Sequence, residues 1–347
     1  MLKRLLLILL LLLGLLLAAV IVGPFLISTE GSAGAEQAEA LAPAGGHFVQ
    51  IPFPGTQGIR LHYRDTSPLS VPAARLTGAV ATDADASHPP TFILLHGFTF
   101  NAFTWDKVTP AFARFGRVFA YDQIPYGLSG KLVASDWRET SPYAKEAAIA
   151  QLFAFMDALG VDQAILAGNS SGGTLAMEAA LARPERISGL ILVAPWVYAK
   201  RPTLPSLVAE LPQMHRLSLF IARKLGEGIL LDYSYADPGK IDPQRRQLMT
   251  IHSQMPRWDL AWGELLNRSL YSPVTVSAHL AEITQPVLMV TGDQDKLVPP
   301  ADSRRVAEEL PQARLVTLSG CGHLPQEECP DAFASALAQW LEVPDRP

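Results

Sequence analysis

The sequence predicts an α/β fold: a mostly parallel central sheet with helices on both faces, an inserted helical cap and an N-terminal transmembrane helix. Three observations carry this. From residue 91 onward, short and continuously apolar runs alternate with helical patterns, as expected of strands covered on both faces. A G-x-S-x-G motif, Gly168-Asn169-Ser170-Ser171-Gly172, stands between one apolar run and one helical segment. Residues 196–285 break the alternation with helical segments and no convincing strand, a stretch too long for a structureless loop.

Composition narrows the function classes. The 347 residues carry 28 Lys+Arg against 33 Asp+Glu, a net charge of −5, which leaves no general footprint for nucleic acid. With 49% hydrophobic and 18% charged residues, the chain is not of disordered composition. Two cysteines exclude a disulfide-rich scaffold and a four-thiolate zinc site. Cys321 and Cys329 are close in sequence, but proximity does not set bridging geometry, so a disulfide and two free thiols both stay open.

In chain order, Lys3 and Arg4 precede an uninterrupted apolar run over 5–22. As a helix it would be about 27 Å long, close to the hydrocarbon thickness of a bilayer. Residues 1–27 are therefore expected to be a membrane anchor, N-terminus in the cytoplasm and the rest exported. The competing reading is a cleaved signal peptide, for which Ala33-Gly34-Ala35 supplies a small-x-small pattern. Residues 28–47, rich in Ala, Gly, Ser and Glu, are expected to form a flexible tether.

The main domain is expected over 48–195 and 286–347. Residues 48–53 and 59–63 alternate as a hairpin around Pro54-Gly55, and 66–90 read as a long loop. Further strands are expected at 91–95, 117–121, 164–167, 189–193, 287–290 and 314–318. Helices are expected at 102–115, 143–159, 172–182, 301–310 and 331–341. Within the cap, Leu217, Phe220, Ile221 and Leu225 form an apolar stripe with Arg216, Arg223 and Lys224 on the more polar side. The stripe is expected to pack on the core, the other reading being contact with lipid.

The chemistry centres on Ser170. A serine on a tight strand-to-helix turn projects Oγ away from the sheet, and the helix N-terminus favours developing negative charge. His323, in Gly322-His323-Leu324 after the last expected strand, is the candidate base. Asp295 is the candidate acid that orients it. Asp293, two residues earlier, would cap a turn or face solvent, although spacing alone does not separate the two. The backbone N–H groups of Phe98, after His96-Gly97, and of Ser171 are the candidate oxyanion-hole donors. His96 is expected to brace its loop rather than serve as a second base.

These residues, with Asp122-Gln123-Ile124-Pro125-Tyr126-Gly127-Leu128-Ser129, stand in the order that makes the chain resemble the α/β-hydrolase superfamily from about residue 48 to 343. The usual family pattern there is D-x-x-G-x-G-x-S, and Pro125-Tyr126 departs from it, which implies an altered pocket rim. Dehalogenases and epoxide hydrolases of this fold use an aspartate nucleophile where this chain has Ser170. Carbon–carbon bond hydrolases have a Gly/Ser-rich oxyanion loop and a Trp after the histidine, where this chain has Phe98-Thr99-Phe100 and Leu324.

The anchor and cap look like those of membrane-bound monoacylglycerol lipases and phospholipases. The resemblance implies a membrane-tethered serine hydrolase of carboxylic esters, acting through an acyl-enzyme on lipid-like esters, without metal or organic cofactor. The alternatives are a short-chain esterase, a carbon–carbon bond or amide hydrolase, and a catalytically silent binding module. Expected partners are an ester substrate and the membrane, with no nucleic acid.

Overall fold

The continuously apolar runs form the middle of an eight-stranded sheet in the order β1-β2-β4-β3-β5-β6-β7-β8. The structure, a computed structural model, describes residues 2–32, 34–67, 89–198, 203–269 and 272–342. Most of the expected loop over 66–90, and Ala33 of the expected cleavage pattern, lie outside the described residues. The strands are β1 (Gly46–Ile51), β2 (Ile59–Asp65), β3 (Thr91–Leu95), β4 (Arg117–Tyr121), β5 (Ala164–Asn169), β6 (Ile187–Val193), β7 (Val287–Gly292) and β8 (Ala313–Leu318). β1 and β2 form the expected antiparallel hairpin and β2 runs against β4, while all other neighbours pair in parallel.

The helices are α1 (Leu2–Val22), α2 (Ala38–Leu41), α3 (Thr109–Ala113), α4 (Lys145–Ala158), α5 (Ser171–Ala182), α6 (Ser206–Ala209), α7 (Pro212–Gly226), α8 (Leu230–Ser234), α9 (Pro243–Met249), α10 (Trp258–Ser269), α11 (Pro300–Glu309), α12 (Pro325–Glu328) and α13 (Pro330–Glu342). Successive residues of a strand point to opposite faces, so β3 feeds two cores. Ile93 and Leu95 belong to one core with Leu152 and Phe155 of α4, Leu175 of α5 and Val306 of α11. Phe92 and Leu94 belong to the second core, with Phe112 of α3 and Phe333, Leu337 and Trp340 of α13.

Three local expectations change. The single helix expected at 102–115 is a 3-10 turn (Ala102–Trp105) followed by the short α3. Pro110 lies in the first turn of α3, where its missing N–H is harmless, but it could not continue a helix from Ala102. The segment expected to be a flexible tether is instead hydrogen-bonded to α7, α10 and the turn before α10. Arg223 donates to Ser28 O and Glu30 O, Ser32 N to Asp259 Oδ1, and Glu36 N to Gln254 O.

The third change concerns α7. Its stripe does not pack on the core: Leu217, Phe220 and Ile221 are exposed, and only Leu225 is partly covered. The buried face carries Ser218, Leu219, Ala222 and Gly226. Small residues let α7 approach α10 closely: a Cβ on Gly226 would lie 2.2 Å from the Trp258 ring. Sulfur chemistry is decided too, since Cys321 and Cys329 are joined in a disulfide.

Candidate active site

Ser170 lies between β5 and α5 at φ 53° and ψ −119°. A non-glycine residue at positive φ typically costs about 1–3 kcal/mol and persists only where its surroundings enforce it. Here Ser170 N donates to Val193 O, and Gly173 N and Trp196 N donate to Ser170 O. Gly172 is needed because a Cβ there would lie 2.3 Å from Leu95 O. Gly97 brings the loop after β3 against the turn: a Cβ on it would stand 3.0 Å from Ser170 Cβ. Thr99, one residue beyond Phe98, is likewise at positive φ, 66°.

His323 and Asp295 come together. The His323 Nδ1 to Asp295 Oδ2 distance is 2.7 Å, with both side chains almost fully buried. Asp295 Oδ1 accepts from Leu297 N at 2.8 Å and Val298 N at 2.9 Å, which fixes the carboxylate. Asn169 Nδ2 donates to His323 O, and His323 N to Ser234 O of α8. Asp293 serves the turn: its carboxylate accepts from Ser319 Oγ and Gly320 N. Ser170, Ser171, Phe98 and His323 line one cavity of about 530 Å³, with no hydrogen bond between Ser170 Oγ and the ring.

His96 is fully buried and bonded within its loop. Its Nε2 accepts from Gln123 N at 3.0 Å, so Nδ1 carries the proton donated to Gly97 O at 2.8 Å. Gln123 Nε2 returns a bond to His96 O. Burial lowers the His96 pKa, which keeps the ring neutral in this role. Asp122 accepts from Ala102 N and Leu128 N and pairs with the His62 ring at 2.7 Å. Burial alone would raise the Asp122 carboxyl, but the His62 ring and the Ala102 N–H outweigh it and hold it well below the carboxylate range. At the departure from the family pattern, Ile124 and Tyr126 line the cavity, and Trp262 Nε1 donates to Pro125 O.

A buried acidic pair that sequence reasoning missed ties α9 and the segment after α8 to the histidine loop. Glu327 receives Arg245 Nε at 2.7 Å and Arg245 Nη2 at 2.9 Å, together with Tyr235 Oη and Thr104 Oγ1. Glu328 accepts from Gly322 N, Ala236 N and Asp237 N. The sequence signal was only Glu-Glu two residues after Leu324-Pro325, and nothing local marked Arg245 as its partner. Among the described residues no cluster of three or more His, Cys, Asp or Glu could hold a metal ion.

Comparison with known proteins places this geometry. A family model described as "Alpha/beta hydrolase family" matches residues 92–336. An uncharacterized hydrolase, YugF, of Bacillus subtilis is 28% identical over 265 residues, covering 73% of this chain and 90% of its own. A haloalkane dehalogenase of Mesorhizobium japonicum is 28% identical over 270 residues, covering 73% and 84%. A solved structure of a bacterial membrane phospholipase A superposes with a TM-score of 0.59 at 21% identity, covering 98% of both chains.

Proposed function

The chain belongs to the alpha/beta hydrolase family, and from that premise we propose that it is a membrane-tethered serine hydrolase of carboxylic esters. The observation that carries this reading is Ser170 on its strained turn, sharing a cavity with the His323–Asp295 pair. Ser170 Oγ attacks the ester carbonyl while His323 Nε2 takes its proton. Asp295 holds Nδ1–H and stabilises the imidazolium. The N–H groups of Phe98 and Ser171 receive the oxyanion. His323 then protonates the leaving alcohol, and water hydrolyses the acyl-enzyme by the same route. A dehalogenase-type reaction is not favoured, because Ser170 stands where those relatives carry an aspartate.

A lipid-like ester is the substrate class we favour. Residues 196–285 are read as the cap, and its outer face is apolar: Leu207 is 82% exposed and Tyr233 65%, beside Leu211, Leu217, Phe220, Ile221 and Ile229. Leu230, next to Ile229, lines the cavity, so the apolar surface adjoins the site. Arg216 Nη1 donates to Ile27 O at 2.6 Å, which sets α7 against the end of the apolar N-terminal helix. That helix, Lys3–Leu26, is long and apolar enough to cross a membrane, and none of its residues is buried in the protein. A bilayer around it would meet the exposed stripe of α7.

Hydrolysis of esters from short to long acyl chains in detergent, with Ser170→Ala alongside, tests both levels. Activity that rises with chain length and falls at least about 10³-fold in the variant is the expected result. Activity that survived the substitution would refute the nucleophile. A preference for short chains would refute the lipid substrate alone.

A further inference from the structure

The segment between the apolar N-terminal helix and α2 holds the start of α10, and Ser32 is its centre. Ser32 N donates to Asp259 Oδ1 at 2.9 Å, Ser32 O accepts from Arg257 N at 3.3 Å, and Ser32 Oγ accepts from Trp258 Nε1 at 3.0 Å. Three consecutive residues at the head of one helix thus share one partner. Glu36 N donates to Gln254 O in the turn before α10. Gly34 lies close against the same turn: a Cβ there would stand 2.3 Å from Met255 O and 2.7 Å from Gln254 C, both backbone atoms. Downstream, Ala38 belongs to a core with Leu128, Ile251 and Met255.

These bonds satisfy buried groups of α10. The Asp259 side chain is only 2% exposed, and its second oxygen receives Arg223 Nε at 2.9 Å. Arg223 turns Nη1 and Nη2 back onto Ser28 O and Glu30 O, so α7 grips the same segment. Without Ser32, a buried carboxylate would lose a donor and a buried indole its acceptor, and such groups are expensive to leave unpaired. Arg257 stands at φ 59°, a conformation that persists only where its surroundings enforce it.

α10 is also a wall of the active site. Trp258 and Trp262 form one core with Tyr126, and Phe98, Leu265 and Leu266 pack against it. The Tyr126 and Trp262 ring centroids are 5.0 Å apart, and Trp262 Nε1 donates to Pro125 O at 3.2 Å. Phe98, Tyr126, Leu265 and Leu266 all line the cavity that holds Ser170.

We propose that residues 28–36 are a strap that completes the active site: by fixing the start of α10 they set the wall made by Tyr126 and Phe98, and turnover is full only with the strap seated. Ser32, Gly34 and Asp259 are positioning residues that act on the reaction through α10. The small-x-small pattern at 33–35 then lies inside the strap, and the working enzyme keeps it uncut. The strap rests on the ester-hydrolase reading above, in which Phe98 N–H receives the oxyanion, and adds to it a requirement for the attached N-terminal segment.

The test uses the full-length protein in detergent with a medium-chain nitrophenyl ester, and turnover is expressed per Ser170 titrated with a serine-reactive phosphonate. Gly34→Val forces the strap off the Met255 backbone while every side chain of α7 and α10 stays in place. Its kcat is expected to fall about tenfold or more with KM nearly unchanged, because a displacement of about 1 Å in a site wall can cost up to about 10²-fold in rate. Gly31→Ala is the control: its Cβ meets only the mobile end of Leu260, 2.9 Å away, and it should turn over like wild type. Ser32→Ala removes the acceptor of Trp258 and should lower kcat, while Ser32→Thr keeps the hydroxyl and should restore it. N-terminal sequencing of the active protein from membranes should find residues 28–36 attached. Unchanged kcat in both Gly34→Val and Ser32→Ala overturns the strap. So does a loss confined to the number of titratable sites, which is stability alone, and so does a fully active enzyme that begins at Glu36. Failure of wild type to hydrolyse any ester would instead overturn the ester-hydrolase reading.

Discussion

Ser170 stands at positive φ because four backbone partners around it leave no relaxed alternative, and that geometry is what presents Oγ to the cavity. The acid at 295 rather than 293 reaches the ring. Asp295→Asn is therefore expected to lower kcat by about 10⁴-fold with little change in melting temperature, because the wrong imidazole tautomer would be held. Steady-state kinetics beside a melt would reveal it, and an equal effect for Asp293→Asn would refute the assignment. His252 offers a pH prediction of a different kind. It is stacked on Trp262, with ring centroids 4.4 Å apart, and burial lowers its pKa to about 3. The unfolded ring takes up a proton near pH 6.5 and the folded ring does not, so stability from this group falls as pH drops from 6.5 toward 3. Between pH 7 and 5 the loss is about 2 kcal/mol. Urea unfolding of His252→Gln at the two pH values should lack that component.

Among the elements, the histidine loop is held from two directions. The Cys321–Cys329 disulfide closes a loop of 8 residues around His323. Chain entropy gives such a loop about 2.5 kcal/mol, so Cys321→Ser/Cys329→Ser should lower unfolding free energy by about that amount in denaturant titration. Glu327 provides the second hold, through its doubly bonded Arg245. Arg245→Ala leaves a buried carboxylate without its cation and is expected to cost about 3–5 kcal/mol. Replacing Glu327 as well, by Gln, should recover part of the loss. Additive losses in that double-mutant cycle would show that the two side chains do not couple. α7 illustrates how an element can be identified and its orientation missed. Its apolar stripe is plain in sequence, but Ser218, Ala222 and Gly226 face α10 because only small side chains admit the Trp258 ring.

Across the whole molecule, the end of the apolar N-terminal helix, the residues that follow it and α7, with its exposed apolar face, are bound together by Arg216 and Arg223. If that face meets lipid, Phe220→Glu/Ile221→Glu should lower the turnover of esters presented in vesicles relative to the same esters in detergent micelles by about tenfold or more, since burying each apolar side chain is worth about 1.5–3 kcal/mol. An unchanged vesicle-to-micelle ratio would show that the face stays in water.

The sheet, its order of appearance along the chain and the serine turn were legible because they follow from local rules. Short continuous apolar runs that alternate with helical patterns read as strands covered on both sides, and the flanking glycines of Ser170 mark a close backbone approach. The hairpin at β1–β2 and the helices at α4, α5, α11 and α13 are of the same kind. What depends on which surfaces meet was not legible. The outward turn of the α7 stripe, the bonds from residues 28–36 to α7 and α10, the Arg245–Glu327 bond and the Lys145–Glu178 pair on the cavity wall join groups far apart in the chain. Their pairing is decided by the shape and desolvation of the assembled interior, and no local pattern of polarity encodes it.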